Sequence, residues 1–195
     1  MNGVIHNKVY DIEKFIEDAK PTRIYLDVDG VLLHSCQAVC DVWNEEDVSK
    51  KVTGQDIVSW NFKELNANFT NKQIETIFSS KAFFGVVERI DGAFEFIQRH
   101  KDKTIIVTKG TTDNIRHKIR MFNDVFKLNI PVYGLTLDHA KSVVDMRGGL
   151  LVDDCVANLR DSNAKYKIQF LEYDDGLNDV REWTKGWKGL RMYEW

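Results

Sequence analysis

Four short apolar runs, each ending in small or acidic residues, are the clearest pattern along the chain. The runs are Ile24–Asp27, Ile105–Thr108, Leu150–Asp154 and Ile168–Leu171. Their hydrophobic positions do not alternate with polar ones, which is typical of strands that are covered on both faces, as in a parallel sheet.

Helical patterns lie between these runs. One helix is expected from Ala93 to His100, with Phe94, Phe96 and Ile97 toward a core, and another where Ile115, Ile119 and Phe122 recur at spacings of four and three. An order of strand, helix and strand predicts an α/β fold with right-handed crossovers. Ligands of such folds bind at the carboxyl ends of the strands, which is where the Asp27, Thr108 and Asp153 positions fall.

The segment from residue 34 to residue 85 has a different pattern. It is rich in aromatic residues and contains helix-like pieces and loop signals, but no buried strand of the first kind. Helices are expected over Cys36–Val48 and Asn71–Ser79. We therefore predict a Rossmann-like three-layer α/β/α core with a parallel sheet, formed by residues 1–33 and 86–195, and a small helical cap inserted at 34–85.

Composition narrows the possible partners. The chain has 195 residues, and its 27 Lys and Arg against 30 Asp and Glu give a net charge of −3. This balance provides no overall cationic field for a long nucleic acid or an anionic membrane. No apolar run approaches the length of a membrane helix, and the first 20 residues lack a signal-peptide segment. We expect a cytoplasmic protein that binds no membrane and no polymeric nucleic acid.

Two basic stretches have structural interpretations that we prefer to nucleic-acid contact. The first is a run on the second predicted helix, read as a solvated face: Arg116, His117, Lys118 and Arg120. The second is the tail from Val180 to Trp195, where three tryptophans alternate with basic residues: Trp183, Trp187, Trp195, Arg181, Lys185, Lys188 and Arg191. Rings in this tail could stack on single-stranded nucleic acid, but anchoring of the tail to the core is the favoured interpretation.

The cysteines are interpreted as thiols. There are three, which is an odd number, and Cys36 and Cys40 lie four residues apart on a predicted helix, where a disulfide is not expected. His34 together with these two cysteines fits no zinc spacing, so helical packing is the better interpretation.

Two carboxylates follow the first apolar run, in Asp27-Val28-Asp29-Gly30-Val31. They can point the same way only if the chain bends, and Gly30 allows that bend. A calcium loop also begins in this way, but the spaced acidic ligands and the closing Glu of such a loop are missing.

The later runs supply the groups of a phosphate and metal site. Thr108 is followed by Lys109 and Gly110 and then by a helix, so a hydroxyl, backbone N–H groups and a helix N-terminus form a candidate phosphate cradle. An N-cap by Thr111 or Thr112 is compatible with this role. Paired aspartates at a buried strand end, Asp153-Asp154, are costly unless a hard divalent cation or hydrogen bonds hold them.

The order of these motifs resembles the haloacid dehalogenase (HAD) superfamily of phosphatases over residues 23–160. Within that superfamily the chain is similar to the 5'(3')-deoxyribonucleotidase group. The segments that carry this similarity are Lys141-Ser142-Val143-Val144, Asp56-Ile57-Val58-Ser59-Trp60, Ala82-Phe83-Phe84 and Ile90-Asp91-Gly92-Ala93. Two features depart from the group: the loop Lys109-Gly110-Thr111-Thr112, and Cys155 where an arginine is common.

The resemblance implies a role for each motif. Asp27 is the nucleophile that forms an aspartyl phosphate, and Asp29 protonates the leaving group and later activates water. The phosphoryl oxygens are held by Thr108, Lys109, Gly110 and Lys141. Mg²⁺ is held by Asp27, by the backbone carbonyl of Asp29 and by Asp153, while Asp154 acts through water or orients the other ligands. The cap aromatics that contact the base are Trp60, Phe62, Phe83 and Phe84.

The expected function is Mg²⁺-dependent hydrolysis of a small phosphomonoester, with a (deoxy)nucleoside monophosphate as the leading substrate. In one alternative, the same hydrolysis acts on another small phosphomonoester or on a nucleic-acid end. A second alternative is a non-catalytic HAD-like domain that binds a nucleotide or a protein. The sequence leaves a homodimer open.

Overall fold

A computed structural model describes residues 11–46, 51–57, 60–170 and 191–192. It contains six strands that form one sheet in the order β3-β2-β1-β4-β5-β6. The strands are β1 (Ile24–Leu26), β2 (Thr104–Gly110), β3 (Val132–Thr136), β4 (Leu150–Asp153), β5 (Tyr166–Gln169) and β6 (Arg191–Met192). The helices are α1 (Ile12–Ala19), α2 (Ser35–Glu46), α3 (Asn71–Phe78), α4 (Lys81–Val86), α5 (Ala93–Arg99), α6 (Thr112–Arg120) and α7 (Val156–Asp161).

The first five strands are parallel, which confirms the predicted sheet. β1 lies at the centre, with Leu26 opposite Ile106 of β2 and Val152 of β4. β6 pairs antiparallel with β5 at one edge. The sequence pattern did not identify β3 or β6, because β3 is an edge strand with three exposed positions and β6 has only two residues.

The two faces of the sheet pack against separate sets of side chains. Along β1, Ile24 and Leu26 belong to a core that includes α1 and α5, while Tyr25 belongs to a second cluster with Leu159 of α7. This alternation arises because successive side chains of a strand point to opposite faces. Both faces are therefore covered, as the unalternating apolar runs indicated, and the core has the three-layer α/β/α architecture.

Between β1 and α5 the chain forms α2, a 3₁₀ turn at Gly54–Asp56, α3 and α4. We call residues 34–85 the insert. Its apolar side chains form a cluster of their own, in which Val39, Phe62 and Phe83 are fully buried. The expected helix over Cys36–Val48 is found at Ser35–Glu46, and the one over Asn71–Ser79 at Asn71–Phe78.

Several other expectations can be compared with the structure. Phe94, Phe96 and Ile97 of α5 are buried, which confirms the predicted core face. All three cysteines lie among the described residues, and none forms a disulfide. Trp183, Trp187 and Trp195 lie outside the described residues. Within the described part of the chain, no helix has the length and hydropathy needed to cross a bilayer.

Candidate active site

Three carboxylates converge at the carboxyl edge of the sheet. Asp27 follows β1, Asp153 ends β4, and Asp154 comes next in the chain. Because β1 and β4 are neighbouring parallel strands, their ends lie side by side. Each of the three residues offers one oxygen, and these oxygens all lie within 4.8 Å of one another. Acids that are 126 residues apart in the sequence are thus brought to one point by strand order.

The donor chemistry of this cluster fits a hard divalent cation. Burial raises the pKa of Asp153 to about 6 although the Lys141 ammonium opposes this, and the Asp27 carboxylate adds to the increase. Burial also raises the pKa of Asp154 well above its ordinary value, and the Asp153 and Asp27 carboxylates add to the effect. All three candidate ligands are carboxylate oxygens, the type that Mg²⁺ prefers. A cation among these groups would relieve both their repulsion and their desolvation.

Lys141 places a positive charge between two of these acids. It lies in the 3₁₀ turn Lys141–Val143 before β4 and is 0 % exposed. Its Nζ donates to Asp27 Oδ1 at 2.6 Å and to Asp153 Oδ2 at 2.5 Å. Burial alone would lower the pKa of Lys141, but the Asp27 and Asp153 carboxylates raise it above its ordinary value. Lys141 is therefore a fixed ammonium group beside Asp27.

Gly30 allows the two acidic pairs to approach each other. Its φ is +67°, which side chains rarely adopt, and a Cβ at this position would lie 2.8 Å from Asp154 Oδ2. The same Asp154 oxygen accepts a hydrogen bond from Trp60 Nε1 at 3.0 Å. The bend anticipated at Gly30 is thus present, and a ring of the insert is bonded directly to an acid of the core.

Asp29 is held from two sides. Ser35 Oγ, at the start of α2, donates to Asp29 Oδ1 at 2.8 Å, and Lys118 Nζ, on α6, donates to Asp29 Oδ2. Lys118 is 0 % exposed, so the interpretation of this stretch as a solvated face was wrong at that position. Lys118 lies four residues after the buried Asn114 and four before the buried Phe122, and this i, i+4 spacing was the signal that could have found it.

The end of β2 and the N-cap that follows it, residues 108–111, have the features of an anion cradle, and we call them the β2–α6 loop. Thr108 is fully buried at the end of the hydrophobic part of β2, and α6 begins just after Gly110. Thr111 is the N-cap, as anticipated, and its hydroxyl accepts from the Asn114 backbone N–H at 3.2 Å. The N-terminus of a helix with free N–H groups favours a negative charge at this position.

The same loop is bonded to the insert. Asn114 Nδ2 donates to the carbonyl oxygen of Phe78 at 2.6 Å, and the hydroxyls of Thr111 and Ser79 are 2.7 Å apart. Asn114 also packs against Gly110, where an added Cβ would overlap its side chain. The end of α3 is therefore positioned over the candidate phosphate cradle.

A cavity of 180 Å³ lies between the loop and the insert. Asp29, Lys109 and Gly110 line it on the core side, and the insert contributes Trp60 and Phe78. Ile74 and Glu75 of α3 complete that wall. The cavity thus lies between charged residues of the core and aromatic residues of the insert.

The four aromatic residues singled out in the sequence lie in different environments. Trp60 lines the cavity and is 38 % exposed. Phe62 and Phe83 are fully buried in the cluster of the insert and are not among the cavity-lining residues. Phe84 is half-buried and stacks on His117, with ring centroids 4.9 Å apart. Phe78 also lines the cavity. The sequence places it on one face of the helix with Ile74 and Ile77, but it was not among the predicted substrate-binding residues.

Solved structures with the same fold are hydrolases of the HAD superfamily. One is a Lactobacillus plantarum protein that bears the provisional name phosphoglycolate phosphatase, with 13 % identity, a TM-score of 0.52, and 75 % of this chain and 84 % of that chain covered. Another is a HAD-superfamily hydrolase of subfamily IA from Geobacter sulfurreducens, with 13 % identity, a TM-score of 0.52, and 76 % and 86 % covered. At such identities the likeness shows the fold alone. The protein therefore has the α/β fold of these hydrolases, with an acidic cluster at the carboxyl edge of its sheet.

The family can be stated more narrowly. Residues 20–185 match the model of the family "5' nucleotidase, deoxy (Pyrimidine), cytosolic type C protein" (NT5C), and the chain belongs to that family. It is therefore a phosphoric monoester hydrolase, which confirms the resemblance drawn from the sequence. No curated protein sequence matches the chain.

Proposed function

We propose that this protein is a Mg²⁺-dependent nucleotidase that hydrolyses (deoxy)nucleoside monophosphates through an aspartyl phosphate. The observation that carries the proposal is the cavity, which is lined by Asp29 and Lys109 from the core and by Trp60 and Phe78 from the insert. The charged and backbone groups of the core suit a phosphate, and the two rings of the insert suit a planar base. The family match supports the same class of substrate.

The proposed reaction begins at Asp27. Its carboxylate attacks phosphorus, a new Asp27 oxygen–phosphorus bond forms, and the bond from phosphorus to the ester oxygen breaks. Asp29 gives its proton to the departing oxygen, so the nucleoside leaves as a neutral alcohol. Water then attacks the aspartyl phosphate and passes a proton to Asp29. The bond between phosphorus and the Asp27 oxygen breaks, so that inorganic phosphate leaves and both acids return to their starting states.

The remaining groups would stabilise the negative charge of the phosphoryl group. Thr108, the backbone N–H groups of Lys109 and Gly110, and the Lys141 ammonium would bind the phosphoryl oxygens as negative charge shifts during the reaction. Mg²⁺ would be held by Asp27, Asp153, Asp154 and the backbone carbonyl of Asp29, and when bound it neutralises the repulsion between carboxylate and phosphate. We also propose a cytoplasmic location, in line with the family's name.

A panel of monophosphates tests the substrate class. With Mg²⁺ present, we expect deoxynucleoside and nucleoside monophosphates to have kcat/KM values at least about tenfold above those of ribose 5-phosphate and phosphoglycolate, because only nucleotides reach the apolar wall. Released phosphate is the measurement. Equal rates on ribose 5-phosphate would favour another small phosphomonoester, and a preference for oligonucleotides that end in a phosphate would favour a nucleic-acid end.

Replacing Asp29 by Asn tests the proton donor. We expect kcat/KM on a nucleoside monophosphate to fall about a thousandfold, since general acid–base groups typically contribute factors of this size and kcat/KM excludes the later hydrolysis of the aspartyl phosphate. The loss should be smaller on p-nitrophenyl phosphate, whose phenolate leaves without a proton. Asp113→Asn, on the exposed first turn of α6, is the matched control. A loss of equal size on both esters would remove Asp29 from the acid role.

Replacing Lys141 by Ala tests the fixed ammonium group. We expect a loss of about a hundredfold in kcat/KM, which is the typical cost of removing one preorganised donor. Lys165→Ala, at an exposed position, is the control. Thermal unfolding should accompany the assay, because the variant leaves Asp27 and Asp153 without their shared cation. Turnover close to that of the unmodified protein would show that Lys141 does not contact the substrate.

A further inference from the structure

We propose that Lys118 is a positioning residue, which holds the proton donor Asp29 and the Thr108 hydroxyl in the orientations that departure of an alcohol requires. The proposal rests on the proposed function, and it concerns a residue outside the motifs that define the site. Lys118 itself neither bonds to phosphorus nor supplies the proton. The proton goes from Asp29 to the ester oxygen, as above.

Lys118 uses all three of its N–H groups as hydrogen-bond donors. An ammonium group has three N–H bonds, and Lys118 Nζ donates to three acceptors: Asp29 Oδ2, Thr108 Oγ1 at 2.9 Å and the Lys109 carbonyl oxygen at 3.3 Å. A fully buried cation is costly unless it is paired and hydrogen-bonded. Lys118 meets that condition by bridging the turn after β1 and the loop of β2, which carry the proposed acid and the proposed phosphate cradle.

The bond to Thr108 determines which way that hydroxyl can act. Because an ammonium group only donates, it occupies a lone pair of Thr108 Oγ1 and leaves the hydroxyl hydrogen to be donated. The Lys109 carbonyl oxygen is 3.5 Å from Thr108 Oγ1, which is long for an O–H···O hydrogen bond. A phosphoryl oxygen in the cradle is a better acceptor. Lys118 thus makes Thr108 a donor toward phosphate.

The bond to Asp29 fixes the carboxyl group at the rim of the cavity. Ser35 holds Oδ1 from α2 and Lys118 holds Oδ2 from α6, so two separate elements restrain one side chain. Asp29 is partly exposed and lines the cavity together with Lys109 and Gly110. An acid that is oriented in this way can meet the ester oxygen without a search over rotamers, which is the advantage of a preorganised catalytic group.

The test compares two esters that differ in their need for a proton. In Lys118→Met, we expect kcat/KM for a nucleoside monophosphate to fall about a hundredfold, while kcat/KM for p-nitrophenyl phosphate falls less than about tenfold. The ratio kcat/KM reports steps up to departure of the leaving group, so later hydrolysis of the aspartyl phosphate does not affect the comparison. The pattern should match that of Asp29→Asn.

Two further variants keep the test decisive. Arg120→Met, on an exposed position of the same helix, should leave both esters unchanged. If thermal unfolding shows that Lys118→Met does not fold, Lys118→Gln and Ser35→Ala take its place, because each weakens one restraint on Asp29. In both variants, kcat/KM should fall more for the nucleoside monophosphate than for p-nitrophenyl phosphate, by smaller factors than in Lys118→Met.

The outcomes separate this proposal from the proposed function. The loss common to both esters reports the contact with Thr108, and the excess loss on the nucleotide reports the contact with Asp29. Losses that are equal on the two esters, or a rise in KM alone, would therefore overturn the positioning of the proton donor. If the unmodified protein hydrolyses p-nitrophenyl phosphate but no nucleotide, the proposed substrate fails instead. The Lys118 comparison is then made with whichever alkyl monophosphate of the panel the protein does hydrolyse.

Discussion

Asp27→Asn is expected to lower kcat roughly a millionfold, the scale of loss seen when an enzyme's nucleophile is removed. The amide oxygen of Asn is too weak a nucleophile to attack phosphorus, so the covalent step has no substitute. The change keeps the size of the side chain and removes one of three crowded carboxylates. We therefore expect the variant to fold and to unfold at a temperature no lower than that of the unmodified protein.

Two measurements check this result. Phosphate release gives the loss of turnover, and mass spectrometry of acid-quenched protein should detect an added phosphoryl group in the unmodified chain but not in Asp27→Asn. Asp18→Asn is the control, because Asp18 lies on α1 in an exposed ion pair with Lys14. A phosphorylated adduct in Asp27→Asn, or turnover within tenfold of normal, would assign the nucleophile to another residue.

Removal of divalent metal is expected to lower the rate about ten thousandfold, since a metal ion contributes several kcal/mol of charge stabilisation in such reactions. The physical reason lies in the charges of the site. Asp27, Asp29, Asp153 and Asp154, if all are ionised, exceed the two buried ammonium groups, Lys118 and Lys141, by two negative charges. An incoming phosphate would add to this excess, and a divalent cation balances it.

The experiment treats the protein with a chelator, removes the chelator, and follows phosphate release as Mg²⁺ is added back. Activity should return with Mg²⁺ and saturate, and isothermal titration calorimetry should show Mg²⁺ binding that Asp153→Asn weakens. Addition of Na⁺ at the same ionic strength is the control, and it should not restore activity. Full activity in the chelated protein would contradict a metal-dependent reaction.

The order of motifs along the chain was enough to identify Asp27, Asp153 and Lys141 as neighbours. The positions of Asp27 and Asp153 follow from local pattern and topology, since unalternating apolar runs predict parallel strands and the ends of neighbouring parallel strands meet. Lys141 was placed beside them by the family resemblance. For Lys118, the same reasoning from local pattern could at most have placed the residue on the inward face of α6, through its spacing of four from Phe122, and not beside Asp29. A basic residue in a basic stretch of helix is usually solvated, and only the packing of α6 against β2 and the turn after β1 places this one beside Asp29.

For the insert, too, the sequence predicted some features and only the structure decided others. Its helical character and aromatic content were evident from the sequence, but aromatic composition does not say which rings pack inward. Phe62 and Phe83 complete the cluster of the insert, while Phe78, which follows Ile74 by one helical turn, lines the cavity. This choice depends on how α3 lies over the β2–α6 loop, which the bonds from Asn114 and Thr111 determine.

By itself, then, the sequence determined the α/β class and the strand ends that carry the acids, because these depend on patterns that repeat over a few residues. Only the tertiary structure decided which cation restrains Asp29 and which rings line the cavity. Those contacts join segments that are distant in the chain, such as Asp29 with Lys118 and Trp60 with Asp154, and they depend on packing between elements that no local pattern encodes.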